Sequence, residues 1–533
     1  MSRKLSQIWD RALTNRWSRI VLALVAGLGA AVVHTPFGFL PGLLGYPLLM
    51  LLAERSTRAR GGFWVGWLAG FAYFFVGCWW VAEAFLVNPD QAWMAPFAAS
   101  LLPMGLGLFF GAACALYRAF APQSALRVIL FAVMFSLLEW MRGHVLTGFA
   151  WNPAGASWKA GSAMSQLASV FGVYGLGLLT VMAVSSLGLL VAGGRRKGRI
   201  AGALCGVLGL AIGFGFGSYR LDQAQRTDTS TLIRIVQADI SQASKWTPEA
   251  YQSILDKYVR MTAEPSPRLP DIVVWPEGAL PNTANAVFAS QDIVDIADAL
   301  QTGQTLMIGI SRAEPSPTSE TGYAYFNSFL SLRDIGSQGL VIEGVYDKHH
   351  LVPFGEYLPL GSLMSRLGIR RLVHVPADFT PGPVPAPLDL PGLPRVQPLI
   401  CYEALFPGYT PARGEARPDW IANVSNDAWF GKSSGPIQHL NLASYRAIET
   451  GLPIVRATPT GTSALIDPWG RVLDSERLDS GKAGIIDAYL PHRAAQTLFG
   501  RWGDAAFWVL MVLFSGLAIS GRYYRSDTTK RYF

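Results

Sequence analysis

Three residues in this chain are of the types that nucleophilic acyl chemistry needs. Cys401 lies in "VQPLICYEALFP", at the end of an apolar run. Glu277 follows another such run in "DIVVWPEGALP", and Lys348 follows a further strand in "GVYDKHHLVPFGEYLP". A thiol attacks as thiolate, so it needs a base, and a positive charge or N–H donors must hold the oxyanion that forms. A carboxylate packed behind apolar residues holds a proton more readily, as a general base must, and Glu277 is so placed. Lys348 offers the charge. Each also has a plain reading: Cys401 as an inert core thiol, Glu277 as a solvated loop acid, Lys348 as a surface cation.

The elements that must position these residues are short strands. In 218–503 the segments "TLIRIVQADI", "DIVVWPEG", "TLMIGIS", "SFLSL", "VQPLICYE", "DWIANVSND" and "LPIVRAT" read as buried strands of about 5–8 residues. Helical patterns lie between some of them, as in "TPEAYQSILDKYVRMTAE" and "SQDIVDIADALQTG". Thr247 and Pro248 suit the N-cap and first turn of the former. Strands alternating with helices imply a layered α/β domain with active residues where strands end.

The rest of the chain is of another kind. Of 533 residues, 51% are hydrophobic and 15% charged, against about 25% charged in a usual soluble protein. Apolar runs long enough for a ~30 Å bilayer recur near 19–35, 37–53, 63–86, 93–117, 127–149, 163–192 and 200–217, with another near 505–521. The first two are short and flank "HTPFGFLPG", so a re-entrant hairpin is an alternative there. The expected organisation is a multi-pass membrane domain over 1–217 with about seven transmembrane helices, an α/β domain over 218–503, and a last span with a basic tail over 504–533.

Charge gives the sidedness. Residues 1–217 hold 16 Lys/Arg against 5 Asp/Glu, so the basic balance belongs to the membrane part and need not mean nucleic-acid binding. Arg3, Lys4, Arg11, Arg55, Arg58, Arg60, "GGRRKGR" and Arg522 all fall at one side of the alternating spans. Cytoplasmic loops are the basic ones, so both termini are expected in the cytoplasm and 218–503 outside it. Cys78, Cys114 and Cys205 lie in apolar runs, which leaves Cys401 without a disulfide partner in its own domain. An extracytoplasmic thiol with no partner is exposed to oxidation, which favours a reactive role over an inert one.

Taken together, "VVWPEG", "YDKHHLVPFGEYLP" and "LICYEALFP" resemble the Glu, Lys and Cys motifs of the nitrilase superfamily, in that family's chain order and over roughly 231–491. With "SNDAWFG" and the preceding spans, the chain resembles the membrane-embedded branch of that superfamily, the bacterial apolipoprotein N-acyltransferases. The resemblance implies a four-layer αββα sandwich in the inner membrane's periplasmic face and a catalytic set of Glu277, Lys348 and Cys401. It implies transfer of an acyl chain from a phospholipid to the α-amine of a diacylglyceryl-cysteine lipoprotein, through a thioester on Cys401.

It further matches Glu356 to a second acid of the pocket, and Trp246 and Asn327 to positions near it, each of which also reads as core packing or a satisfied loop group. Tyr402 and Glu403 flank the nucleophile, and the Tyr402 N–H is a natural oxyanion donor. Trp429 and Phe430 read as a lid or as an ordinary aromatic loop anchor. The apolar segment 358–375 reads as an arm among lipids or as a buried helix with snorkelling arginines. No metal and no cofactor are expected, nor a nucleic-acid partner, and a monomer is expected. A membrane-tethered amidase with the same three residues is the alternative. A transporter would carry broken helices or paired charges at midspan, which these Gly-, Leu- and aromatic-rich runs lack.

Overall fold

The computed structural model describes residues 13–122, 124–193, 195–243, 245, 249–317, 319, 322–359, 361, 378–410 and 417–529. Trp246, the Thr247–Pro248 pair and nearly all of the apolar segment 358–375 lie outside the described residues. Two compact units are drawn from Met1–Ala82, Trp93–Gln223 and Trp502–Phe533 on the one hand, and Glu83–Ala92 and Ala224–Arg501 on the other.

The first unit is helical. Its main helices are α1 (Arg16–Ala31), α2 (Gly45–Glu54), α3 (Ala59–Cys78), α4 (Ala95–Phe120), α5 (Arg127–Arg142), α6 (Ala168–Ser185), α7 (Arg196–Asp222) and α12 (Ala505–Thr529). Among the described residues, four helical segments are long and apolar enough to cross a membrane: Ala59–Leu86, Pro89–Phe120, Met164–Leu190 and Arg196–Asp222. The second apolar run folds as a 3₁₀ turn (Leu40–Leu44) followed by α2. At 1.5 Å per residue α2 is about 15 Å long, half of a ~30 Å hydrocarbon core. Small residues let these helices approach closely. A Cβ on Gly66 of α3 would stand 2.4 Å from the Phe110 carbonyl oxygen of α4.

The second unit contains two sheets. One has the order β11-β1-β2-β3-β4-β5 and the other β10-β9-β8-β7-β6. The strands are β1 (Asp228–Gln237), β2 (Ile272–Trp275), β3 (Thr305–Pro315), β4 (Tyr323–Asp334), β5 (Leu340–Asp347), β6 (Val396–Ile400), β7 (Trp420–Val424), β8 (Ile454–Ala457), β9 (Ser463–Ile466), β10 (Val472–Leu478) and β11 (Gly484–Pro491). β1, β2 and β3 run parallel, as do β6, β7 and β8; antiparallel strands flank the first set on both sides and the second beyond β8.

Alternation within strands sets the layers. On β2, Ile272 and Val274 join one core cluster while Val273 and Trp275 join another. The first cluster also holds Ile400, Trp420, Val424 and Val455, so the inner faces of the two sheets share one core. The outer face of the six-stranded sheet packs on α8 (Ala250–Thr262), through Ile254, Leu255, Tyr258 and Met261 at helical spacing. It also packs on α9 (Ala284–Phe288) and α10 (Asp292–Asp298), through Val287 and Ile296. The outer face of the five-stranded sheet packs on α11 (Gly435–Thr450), through Leu440 and Ala447. The result is the αββα order expected of this region. All seven segments read as strands contain one, although several extend further, β4 to both sides of "SFLSL". The helix of "TPEAYQSILDKYVRMTAE" begins at Ala250, after Glu249.

Candidate active site

The residues singled out for chemistry sit just beyond strand ends. Glu277 is two residues after β2, Lys348 follows β5, and Cys401 follows β6. β5 is antiparallel to β4, and β4 to β3, so β5 ends on the same edge of the sheet as β2 and β3. That topology brings Glu277 and Lys348 together. Gly309 of β3 makes the approach possible. A Cβ there would meet the Glu277 Cα at 2.5 Å, and the Gly309 carbonyl accepts from the Ala279 N–H at 3.1 Å.

Glu277, Lys348, Glu356 and Asn327 form one polar cluster. Lys348 Nζ is 2.8 Å from Glu356 Oε1 and 3.5 Å from Glu277 Oε1. The Asn327 amide donates to both carboxylates, at 2.7 Å each. Their outer oxygens accept backbone N–H groups: Glu277 Oε2 from Asn426 at 2.7 Å and Glu356 Oε2 from Val352 at 2.7 Å. Lys348 is 1% exposed, whereas Glu277 and Glu356, at 7% and 8%, keep a sliver of access. Burial works against the Lys348 charge, but Glu356 and Glu277 outweigh it and its pKa is raised.

Cys401 opens a 3₁₀ turn, Cys401–Leu405, at φ 50°. For a residue with a Cβ this left-handed backbone is strained by about 1–3 kcal/mol and persists only where neighbours hold it. The thiol is hydrogen-bonded to Ser425 and feels Glu277, Lys348 and Asp427. Burial raises its pKa, Glu277 adds to the rise, and Lys348 opposes it. The resting group is therefore a thiol, and a base has to take its proton before it can attack.

Glu403 has a clear position. It is fully buried. Its Oε1 accepts from the Tyr346 hydroxyl at 2.9 Å and from the N–H groups of His349 and His350 at 2.8 and 3.2 Å. Its Oε2 accepts from the Ile400 N–H at 2.8 Å. One carboxylate thus ties the cysteine turn to the segment that carries Lys348. Tyr402 is buried against His350 and Phe406. Trp429 and Phe430 sit in a 3₁₀ turn after β7, where Trp429 is exposed.

Sequence reasoning passed over several neighbours. Asn426 caps Glu277, and Asp427, His439 and Arg456 form a sealed ionic cluster beside the cysteine. Lys245 donates to the Gly278 carbonyl. Burial lowers its pKa to about 8, with Glu277 opposing. The signal for the first group was present: "SND" directly after the buried strand "WIANV" puts three polar residues at a strand end. Among the described residues no group of His, Cys, Asp and Glu has the arrangement of a metal site.

Residues 232–497 match the carbon-nitrogen hydrolase family, and residues 23–186 match the apolipoprotein N-acyltransferase N-terminal domain. A protein of Caulobacter vibrioides named apolipoprotein N-acyltransferase is 48% identical over 96% of this chain and 96% of its own. One of the same name from Allorhizobium ampelinum is 37% identical over 95% and 96%. An amidase of the nitrilase superfamily from Nesterenkonia AN1 aligns with 49% of this chain and 92% of its own at 19% identity, with a TM-score of 0.34. By its sequence over nearly its whole length, the chain belongs to the apolipoprotein N-acyltransferase family.

Proposed function

We propose that this protein moves a fatty acyl chain from a phospholipid to the α-amino group of the N-terminal diacylglyceryl-cysteine of a lipoprotein, with Cys401 as the acyl carrier. Glu277 takes the thiol proton. The thiolate attacks an ester carbonyl of the phospholipid, and Lys348 and the Tyr402 N–H stabilise the oxyanion. Collapse expels the lysophospholipid alkoxide, which receives the proton from Glu277 and leaves a thioester. The neutral amine of the acceptor then attacks the thioester, its surplus proton passes to Glu277, and the thiolate departs. Glu356 and Asn327 hold Lys348 and Glu277 in register, and Glu403 fixes the two segments that carry Lys348 and Cys401.

The observation that carries the reading is the cluster of one ammonium and two carboxylates, of which Lys348 and Glu277 act electrostatically on the half-buried Cys401 in its strained turn. Such a site can exchange a proton internally, which a two-step transfer requires. In this reading residues 218–503 form the catalytic domain on the periplasmic side of the inner membrane, 1–217 and 504–533 form the membrane part, and both termini are cytoplasmic, as the basic loops favour. Trp429 and Phe430 act as a lid over the entrance, and the protein acts as a monomer.

The test uses the full chain in detergent, labelled phospholipid and a diacylated lipopeptide. Acyl transfer to the peptide amine that disappears in Cys401→Ser supports the mechanism. Transfer that survives Cys401→Ser sinks it, and release of free fatty acid without transfer to amine assigns the site to a hydrolase.

A further inference from the structure

The left-handed turn at Cys401 is gripped through its backbone carbonyl. His439 Nε2 lies 3.3 Å from the Cys401 carbonyl oxygen, and His439 Nδ1 lies 3.0 Å from Asp427 Oδ1. Arg456 Nη2 donates to both Asp427 oxygens, at 2.9 and 2.7 Å, and the Ser425 hydroxyl donates to Oδ1 at 2.8 Å. Arg456 Nη1 also donates to Asn423 Oδ1. The side chains of His439, Asp427 and Arg456 are at most 1% exposed. Phe430 packs edge-on against the imidazole, with ring centroids 5.7 Å apart. Three separate elements therefore converge on one backbone carbonyl: α11, the turn after β7, and β8.

Both groups that face the imidazole nitrogens are acceptors. A backbone carbonyl has no proton to give, and Asp427 is ionised: burial would raise its pKa, but Arg456 and His439 outweigh burial and hold it at about 2. The carbonyl also belongs to the Cys401–Tyr402 peptide. In a trans peptide the C=O and the N–H point in opposite directions across one rigid plane. A donor that fixes the Cys401 carbonyl therefore aims the Tyr402 N–H, and polarises it as a donor.

We propose that His439 is a positioning residue for acylation: its Nε2–H donates to the Cys401 carbonyl, Asp427 clamped by Arg456 holds the ring through Nδ1–H, and the grip both fixes the turn and aims the Tyr402 N–H at the oxyanion. This rests on Cys401 being the acyl carrier. Burial and Arg456 lower the His439 pKa, with Asp427 and the Cys401 carbonyl opposing. The grip needs both ring protons against that shift, and what favours them is geometry: each ring nitrogen faces an acceptor.

The test compares two substitutions that keep different halves of the imidazole. Glutamine places its amide N–H near the position of Nε2, and asparagine near that of Nδ1. The rate of Cys401 thioester formation from phospholipid is measured in single turnover, alongside KM for the phospholipid. His439→Asn is expected to slow acylation by about 10- to 100-fold with KM little changed, since an ill-aimed donor is lost in the transition state. His439→Gln is expected to recover most of that loss. Equal rates in the two variants, or a loss confined to KM, would overturn the proposal. Should His439→Asn not fold, ¹⁵N-histidine spectra of the unsubstituted protein decide: a protonated Nε2 supports the grip, and an unprotonated one removes it. Cys401→Ser in the same assay reports separately on the acyl carrier, because persistent transfer there rejects the carrier whatever His439 does.

Discussion

Two buried ionic clusters flank the cysteine, and they differ in ways that separate chemistry from support. Glu277, Lys348 and Glu356 form the first, with two acids around one ammonium. Asp427, His439 and Arg456 form the second, with one acid between two nitrogen bases. The acids of the first keep 7–8% exposure, while the second is sealed at 1% or less. In the first, an acid is in excess over the cation, so a carboxylate can accept a proton without losing the cluster's last ion pair. In the second, protonating Asp427 would leave Arg456 buried with no counter-ion, which is strongly unfavourable. A cluster with a spare acid and some access suits proton transfer. A sealed cluster with its acid fully committed suits holding a backbone in place.

This contrast can be broken experimentally. The largest effect is expected from Glu277→Gln: acylation of Cys401 should fall by about 10²- to 10⁴-fold with thermal stability close to that of the unsubstituted protein, since the amide keeps the shape but loses the base. Asp427→Asn should do the reverse, costing about 3–5 kcal/mol of stability in a thermal or denaturant melt through the orphaned Arg456. If Glu277→Gln unfolds the protein and Asp427→Asn does not, the assignment of roles is wrong. Next comes Gly309→Ala, whose Cβ would press on the Glu277 backbone. It should cost about 1–3 kcal/mol and lower activity more than it lowers substrate binding.

The pH responses follow from the same difference. The pKa of Cys401 is raised, so its alkylation by iodoacetamide should climb steadily from pH 7 to pH 10 without the early plateau of a preformed thiolate. A plateau near neutrality would show that Lys348 alone makes the thiolate. Asp427 is depressed from 3.8 to about 2, with burial opposing and Arg456 and His439 responsible. A depressed acid stabilises the fold above its ordinary value, and that part of stability is lost as pH falls from about 4 through 2. The smallest effect is expected from Trp429→Ala. At an exposed turn it should change stability by under about 0.5 kcal/mol, and its effect should appear in KM for the lipid.

Much of this molecule could be read in the sequence, for identifiable reasons. The strands under the site are buried on both faces, so they appear as near-continuous apolar runs such as "IVVW" and "WIANV". Glu277 and Cys401 stood out because they follow such runs closely, and Lys348 because it follows a strand end in "GVYDK". The Glu403 tether was harder to see, since its four donors are three backbone N–H groups and a tyrosine hydroxyl brought in by folding. His439 was considered only for metal spacing, which it lacks. Its partners Asp427 and Arg456 are 12 and 17 residues away along the chain, and parallel pairing of β7 and β8 brings their strands side by side. Edge strands such as β10 and β11 are largely exposed or half-buried and carry no long apolar run, which is why they escaped notice.

The central claim is that Cys401 carries the acyl chain between donor and acceptor. Mass spectrometry of the full-length protein, after incubation with phospholipid in the absence of any acceptor amine, tests it most directly. The expected result is a mass gain of one acyl chain on the peptide that contains Cys401, cleaved by hydroxylamine, absent in Glu277→Gln within the same time, and discharged when a diacylated lipopeptide is added. An unmodified Cys401 in protein that nonetheless transfers the acyl chain once the lipopeptide is present would contradict the account.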